Sequence, residues 1–456
     1  MEESLVSVTK AVAEFIYKTE YEDLPKSVID KVKLCILDFI GNAIGGSKEP
    51  EVKILASLVK SHGGKEESTV ISYNFKAPMP SAGMVNAAMG HALQIDDGDR
   101  FTLAHLGTEI IPAALAVGEV EDSGGEDLIN AIALGYEVAM RIGYAVNPSH
   151  HKRGFCPNST LGVFGAAATA SKLMKLGVQE IADAIGSAGT LASGVEEFVV
   201  DGSGSQFLNP AHATYAGILS TLLARNGFTG SKTILEGTRG FCKAFSDEYD
   251  LSLITANLGI EYQMAKVYFK PYPTCRAMHS AIDAILNIVR KYSIKPEDIK
   301  KIIVKTYSYN VNLMCGPPPR TVAHARLHMP YVLAIALKEK RLTVNEFKEE
   351  KLRDARVLDL MSKIEFLTAD EELNRFAPYL FGTIVSVLTK DGKKHVEKIA
   401  FPKGEPENPM TQEELIEKFK SLILYGGFNE TKANKLISII NKLEQVKEIG
   451  ELTKLL

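Results

Sequence analysis

Along the first 265 or so residues, apolar side chains recur at helical spacing in one segment after another. Val28, Val32, Cys35, Ile36 and Phe39 share one face of a helix that opens at Asp23-Leu24-Pro25, where a proline's missing N–H costs little, and stops at Gly45-Gly46. The run TLGVFGAAATASKL, residues 160–173, is small and apolar on nearly every side. That predicts a helix buried among other helices, with glycine and alanine permitting close backbone approach. Further helices are predicted near 79–93, 108–121, 125–145 and 208–226.

From about residue 268 the texture changes. Ile302-Ile303-Val304, followed by Thr306 and Tyr307, reads as a strand rich in β-branched and aromatic residues. Residues 383–389, then Asp391-Gly392, then 395–399 predict a hairpin, because Asp-Gly suits a type I′ turn. Helices near 275–291 and 329–338 interleave, giving an α+β second domain. After Gly404-Glu405-Pro406-Glu407-Asn408-Pro409 the helical pattern returns, with Thr411 and Glu414 spaced for a capping box. Periodicity leaves open whether this tail caps the second domain or packs back on the first.

At 456 residues the chain is too long for one core. Its 52 basic and 56 acidic residues leave a formal net charge of -4, which excludes a broad field for nucleic acid or anionic lipid. A bound anion must therefore meet a local cluster of cations. No apolar stretch approaches the ~18 residues of a membrane span, and the N-terminus does not read as a signal peptide. The five cysteines form no CxxC pair, which fits a reducing, cytoplasmic setting and argues against a zinc site.

Four segments carry candidate chemistry. Gln94-Ile95-Asp96-Asp97-Gly98-Asp99-Arg100, with His105 close behind, joins three acids to an imidazole, suited to acid–base work or to a metal. The plainer alternative is a set of helix caps. A prenyl-synthase DDxxD site fits poorly, since the third acid comes one position early and no second acidic motif follows. His150-His151-Lys152-Arg153 precedes Cys156 and a helix start, which is either an anion site or a solvated basic loop. Asp201 to Pro210 is a glycine-bearing loop able to approach a ligand closely. Lys270-Pro271-Tyr272-Pro273-Thr274-Cys275-Arg276 is stiffened by two prolines, with Arg276 and His279 on one helical face beyond it. A basic junction between domains is where a carboxylate cleft is expected.

Taken in order, these segments resemble the 2-methylcitrate dehydratase (MmgE/PrpD) family over nearly the whole chain. KPYPTCRAMH, residues 270–279, is similar to the family's KPYPxCRxxH. GFCPNSTLGVFGAAATA resembles GFHPTST followed by GxFGAAAAA; HALQIDD resembles HALDFDDTH; and DGSGSQFLNPA resembles DGSWTKRLHPG. The resemblance implies a mainly α protein: a large helical domain (residues 1–267 with the tail 405–456) and an inserted α+β lid domain, 268–404. It also implies a cytoplasmic homodimer working without metal or cofactor on a small polycarboxylate in the cleft between domains. No nucleic-acid or membrane partner is expected.

The family chemistry begins with loss of a proton beside a carboxylate. Here His105 or His279 would take it, Asp97 would orient an imidazole, and Cys156 or the second histidine would serve as acid. Arg153, Gln206, Lys270, Arg276 and Tyr331 would hold the substrate. Where the family has Asp, Thr, His, Lys and His, this chain has Gln94, Gly98, Cys156, Gln206 and Asn209. That implies the family's dehydratase or decarboxylase reaction is not run unchanged. A dehydratase-like lyase is the leading expectation. The alternatives are an epimerase resembling iminodisuccinate epimerase and a non-catalytic carboxylate-binding homologue.

Overall fold

The computed structural model describes residues 7–368, 373 and 382–456. It is mainly helical, with a small α+β part. The helix Pro157–Leu173 is the axis of the helical half, packed by Leu208–Arg225, Gly125–Val146 and Gly107–Val120. Small residues make this possible. A Cβ on Gly217 would lie 2.5 Å from the Cβ of Ala166 and 2.8 Å from the Ala167 nitrogen, so the two backbones meet only because that position is bare. Met79–His91 and Lys26–Gly46 complete this layer, and each predicted helix of the first half is present within three residues of its expected ends.

One hydrophobic cluster runs from Val8 to Phe269 and takes in Leu415, Phe419, Ile423, Leu436 and Ile440 from the C-terminal helices Gln412–Tyr425 and Glu430–Asn441. The tail therefore packs on the helical half, an outcome periodicity had left open. Thr411 and Glu414 form the expected capping box. A second cluster, from Ala277 to Val387, lies between the helices His279–Tyr292 and Met329–Glu339 and a four-stranded sheet. We number the strands β3 (Ile299–Thr306), β4 (Ile364–Thr368), β5 (Thr383–Thr389) and β6 (Lys394–Ile399), after the small hairpin β1 (Ser68–Val70) and β2 (Phe75–Ala77). The sheet order is β4-β3-β5-β6, with β3 parallel to β4 and antiparallel to β5. Thr383, Val385, Val387 and Thr389 alternate inward along β5.

The β5–β6 turn differs from the expected type I′ form. Gly392 donates to the Thr389 carbonyl, and among the turn residues only Gly392 has a positive φ, +85°. A two-residue I′ loop would need Asp391 left-handed as well. The loop takes instead a type I turn with glycine at the left-handed position after it.

The two halves are tied by buried polar contacts. Arg326 donates to Glu49 at 3.0 and 3.3 Å and to the Ala92 carbonyl at 2.9 Å. Gly404, at φ +100°, lets the chain pass so close to Phe269 that a Cβ would lie 1.8 Å from its carbonyl oxygen, which sets Glu405 beside Arg276. Replacing Arg326 by Leu strands the Glu49 charge, so R326L should lower the free energy of unfolding in denaturant by about 3 kcal/mol. A loss below about 0.5 kcal/mol, the size of a surface substitution, would contradict a tie of this kind.

Candidate active site

The helix Met79–His91 ends in a turn in which Gln94 takes φ +55°, an uncommon conformation for a side chain other than glycine. The side-chain amide of Gln94 donates from Nε2 to His91 Nε2 at 2.8 Å and to Gln206 Oε1 at 3.2 Å. An amide nitrogen only donates, so His91 Nε2 is the acceptor and the ring proton sits on Nδ1. That Nδ1–H donates to Asp96 Oδ2 at 2.7 Å. The other oxygen of Asp96 accepts from Lys270 Nζ at 3.1 Å, and Lys270 also donates to the Gln94 carbonyl at 3.3 Å. Burial opposes ionisation of Asp96, but its His105, Lys270 and His91 neighbours outweigh it and hold the carboxyl well below its usual range.

His105 is held by the backbone. Its N–H donates to Asn158 Oδ1 at 2.9 Å, and its Nδ1 lies 2.6 Å from the Asp97 carbonyl oxygen. A carbonyl only accepts, so Nδ1 carries the proton and Nε2 the lone pair. Burial pushes this imidazole down to about 3, and it is neutral near pH 7. Gly98 makes the arrangement possible by bridging to Tyr268. A Cβ at Gly98 would sit 2.6 Å from the Tyr268 hydroxyl and 2.8 Å from His105 Nδ1. The glycine at the family's threonine position thus makes room for the tyrosine.

A cavity of about 250 Å³ opens beside these groups. Its polar end is lined by His91, Gln94, His105, Asp99, Arg100, Tyr268 and Arg276. Cys156, Phe198, Val199, Met314 and Leu327 also line it, together with His151, Lys152, Asn158, Glu196, Tyr307 and Asn310. Phe198, Val199, Leu327 and Cys156 form a small hydrophobic cluster of their own, drawn from both halves of the molecule.

Of the residues given a catalytic or substrate-binding role from the sequence, His105, Cys156 and Arg276 line this cavity; Gln94, Asp99, Arg100, His151, Lys152 and Cys275 of the same segments also reach it. His279 does not. It is fully buried behind Arg276, which donates from Nη1 to His279 Nδ1 at 3.0 Å; the imidazole proton is therefore on Nε2, 3.4 Å from the Thr274 carbonyl. Burial and the Arg276 and Lys270 charges depress it further, and neither nitrogen is spare to act as a base. Asp97 also differs from expectation: its carboxyl turns away to the Tyr136 hydroxyl and the Gly107 N–H, and only its carbonyl orients His105. The neighbouring Asp96 is the acid that faces imidazole, because successive residues of this turn point to opposite sides.

Lys270 serves Asp96, and Gln206 serves Gln94; both are buried and neither lines the cavity. Arg153 is exposed and lies against Asp247 at 3.4 Å and the Ala244 carbonyl, away from the site. Tyr331 sits inside the second core against Phe347. Of two further histidines, His151 lines the cavity and pairs with Glu196 at 3.0 Å, while His212 bonds to the Leu191 carbonyl. Sequence reasoning named Arg100 within its segment without giving it a role, and assigned none to His91, Tyr268 or Glu405. Position i, i+3 to Gln94 at a helix end was the available signal for His91; Tyr268 and Glu405 carried none.

Burial pushes the Cys156 thiol well above its ordinary value, with Glu196 adding to the effect, so it holds its proton. Among the described residues no helix is long and apolar enough to cross a membrane.

Comparison with known proteins agrees with this architecture. A family model described as the MmgE/PrpD N-terminal domain matches residues 10–254, and one described as the MmgE/PrpD C-terminal domain matches residues 272–445. The chain is 26% identical to a cis-aconitate decarboxylase of Aspergillus terreus, over 98% of this chain and 96% of that one. It is 27% identical to the cis-aconitate decarboxylase of Homo sapiens over 99% and 95%, and 26% identical to that of Mus musculus over 99% and 94%. The chain belongs to the MmgE/PrpD family.

The buried Asp97 gives a pH signature. Burial raises its carboxyl from 3.8 to about 7, so the fold keeps a proton that the unfolded chain releases near pH 4. Its contribution to stability is complete below pH 4 and lost as pH rises through 7. Asp97→Asn keeps the shape and cannot titrate. Between pH 5 and 8 the thermal midpoint of the wild type should therefore fall relative to that of D97N; a constant gap would contradict this.

Proposed function

We propose that this member of the MmgE/PrpD family is a lyase that removes the proton beside the carboxylate of a small organic acid, with His105 Nε2 as the base. The observation that carries the reading is the hydrogen bond from His105 Nδ1 to the Asp97 carbonyl, which leaves the lone pair of the other ring nitrogen on an imidazole that lines the cavity. The resting imidazole is a weak base because it is buried. A substrate carboxylate beside it brings the negative charge that raises its affinity for the proton.

In this reading the α C–H pair is left on carbon and delocalises into the carboxylate, where N–H donors of the polar end stabilise it. Collapse of that pair expels the leaving group. For a hydroxyl, the protonated Cys156 thiol donates the proton, water departs, and the imidazolium later returns a proton to the thiolate through solvent. Residues 268–404 act as a lid on the helical domain formed by 1–267 and 405–456, and the working unit is a cytoplasmic homodimer, as the family resemblance implies. The relatives named for cis-aconitate make di- and tricarboxylates natural first candidates, and Gln94 and Gln206 replace the charged groups that the family pattern carries there.

Incubating the protein with mono-, di- and tricarboxylic acids in heavy water and reading products by NMR tests the proposal. Alkene formation or α-deuteration is expected, and His105→Gln should slow it by about 100-fold or more. Undiminished turnover of H105Q would rule out the base assignment. Deuteration with inversion and no alkene would move the chain to the epimerase class, and binding without exchange would make it a non-catalytic homologue.

A further inference from the structure

We infer that His151 and Glu196 form a proton relay that refills the Cys156 thiol from solvent. The inference rests on the reading of Cys156 as a proton donor in this cavity and names the source of that donor's proton.

The geometry comes from a short antiparallel bridge. The Cys156 N–H donates to the Gly194 carbonyl and the Glu196 N–H to the Gly154 carbonyl, each at 3.0 Å, which pairs Phe155 with Val195. Side chains alternate along such a pair, so Phe155 and Val195 point to one face and Cys156 and Glu196 to the other. The cavity agrees: Cys156 and Glu196 line it, and Phe155 and Val195 do not. Opposite Cys156 stands Gly194, and opposite Glu196 stands Gly154, at φ +118° and +86°. Neither carries a side chain, so thiol and carboxylate share a bare face along the diagonal of the bridge. Diagonal neighbours have β-carbons about 7 Å apart, a gap that these two side chains and one water can span.

Glu196 in turn holds His151. Its Oε2 lies 3.0 Å from His151 Nε2, and the two side chains are 20% and 12% exposed, which keeps them in touch with solvent. The histidine is fixed from its own side as well. Its N–H donates to Asn147 Oδ1 at 3.2 Å, and the adjacent His150 is anchored at the Phe245 carbonyl and the Thr160 hydroxyl, at 3.0 and 2.7 Å. Burial alone would loosen the imidazole's hold on a proton, but the charge and hydrogen bond of Glu196 outweigh it and raise that hold above the ordinary value. His105, in the same cavity, is pushed the other way. Two imidazoles with affinities driven apart divide the work, one neutral to take a proton and one charged to give it. Ammonium and guanidinium groups keep their protons near neutral pH, so among cations an imidazolium is the one suited to a relay.

Cys156 needs such a partner. Burial and the Glu196 charge make its thiolate costly, so a thiol that has given up its proton must be refilled before another turnover. In the relay the sulfur lone pair takes the proton of the Glu196 carboxyl, through the intervening water, as that carboxylate takes the Nε2 proton of His151. An S–H bond forms and an N–H bond breaks, its electron pair staying on the ring nitrogen. His151 then takes a proton from solvent, and solvent receives the one that the His105 imidazolium releases. Over the cycle no proton is gained or lost.

Alkylation of the full-length protein by iodoacetamide, read as the mass of the Cys156 peptide, reports on the thiol without any turnover. Glu196→Gln removes a negative charge and should speed alkylation at pH 8 by about three-fold or more, whereas His151→Ala leaves that charge uncompensated and should slow it by about as much. A merely structural role would move both rates the same way. Should H151A fail to fold, E196Q alone gives the sign. With citrate and malate in heavy water, both variants should lower the ratio of alkene formed to deuterium exchanged by about ten-fold or more, and added imidazole should partly restore H151A. Alkylation rates that move together, a ratio that stays at the wild-type value, or undiminished elimination by Cys156→Ala would overturn the inference.

The two readouts separate it from the lyase reading. The opposed alkylation rates, with neither alkene nor deuterium exchange from the wild type, keep the relay and remove the lyase. Elimination that H105Q abolishes, with alkylation of both variants at the wild-type rate, keeps the lyase and removes the relay.

Discussion

The buried carboxylate of Asp96 is the constraint on which the site depends. Its two oxygens are divided between Lys270 and His91, and Nδ1 of His105 stands 3.9 Å from Oδ2, the oxygen that accepts from His91. Because an unpaired charge in such a place costs several kcal/mol, Asp96, Lys270 and His91 fix one another. Their mutual positions fix Gln94 in its left-handed conformation, since Gln94 gives its carbonyl to Lys270 and its amide to His91. The lysine belongs to the proline-stiffened segment and the aspartate to the turn after Met79–His91, so one ion pair joins the segments that meet at the cavity.

Around that pair, charge is balanced inside the protein. Glu405 stands between Arg276 and Arg100, and Glu407 takes the outer face of Arg100. The Arg276 guanidinium also lies over the Tyr268 ring, 4.4 Å from its centroid, and Tyr268 occupies space opened by Gly98. The cavity presents a neutral imidazole, an amide, a protonated thiol and apolar side chains beside Asp99, Arg100, Lys152 and Glu196.

Much of the fold was legible because its signals are periodic. Val28, Val32, Cys35, Ile36 and Phe39 are all buried, and the alternation in β5 faces the helix His279–Tyr292 as hydropathy requires. The hairpin turn was misread because Asp-Gly suits more than one turn type, and the choice depends on the φ of Asp391, which dipeptide chemistry does not fix. The site was legible by segment and less so by atom. Four polar segments stood out and three of them send a residue to the cavity, as His105, Cys156 and Arg276 show. Which of the adjacent Asp96 and Asp97 turns toward the imidazoles depends on one left-handed residue before them. That Glu405 cancels Arg276 is a matter of tertiary contact between residues 129 positions apart, and that His279 lies behind the arginine follows from how this segment packs.

The account turns on the protonation of one ring, and nitrogen-15 NMR of the histidine side chains reads it directly, with His105→Gln identifying the signal. The proton should be found on Nδ1 and the ring should stay neutral from pH 8 down to pH 5. A proton on Nε2, or an imidazolium forming near the ordinary value of about 6.5, would contradict the account.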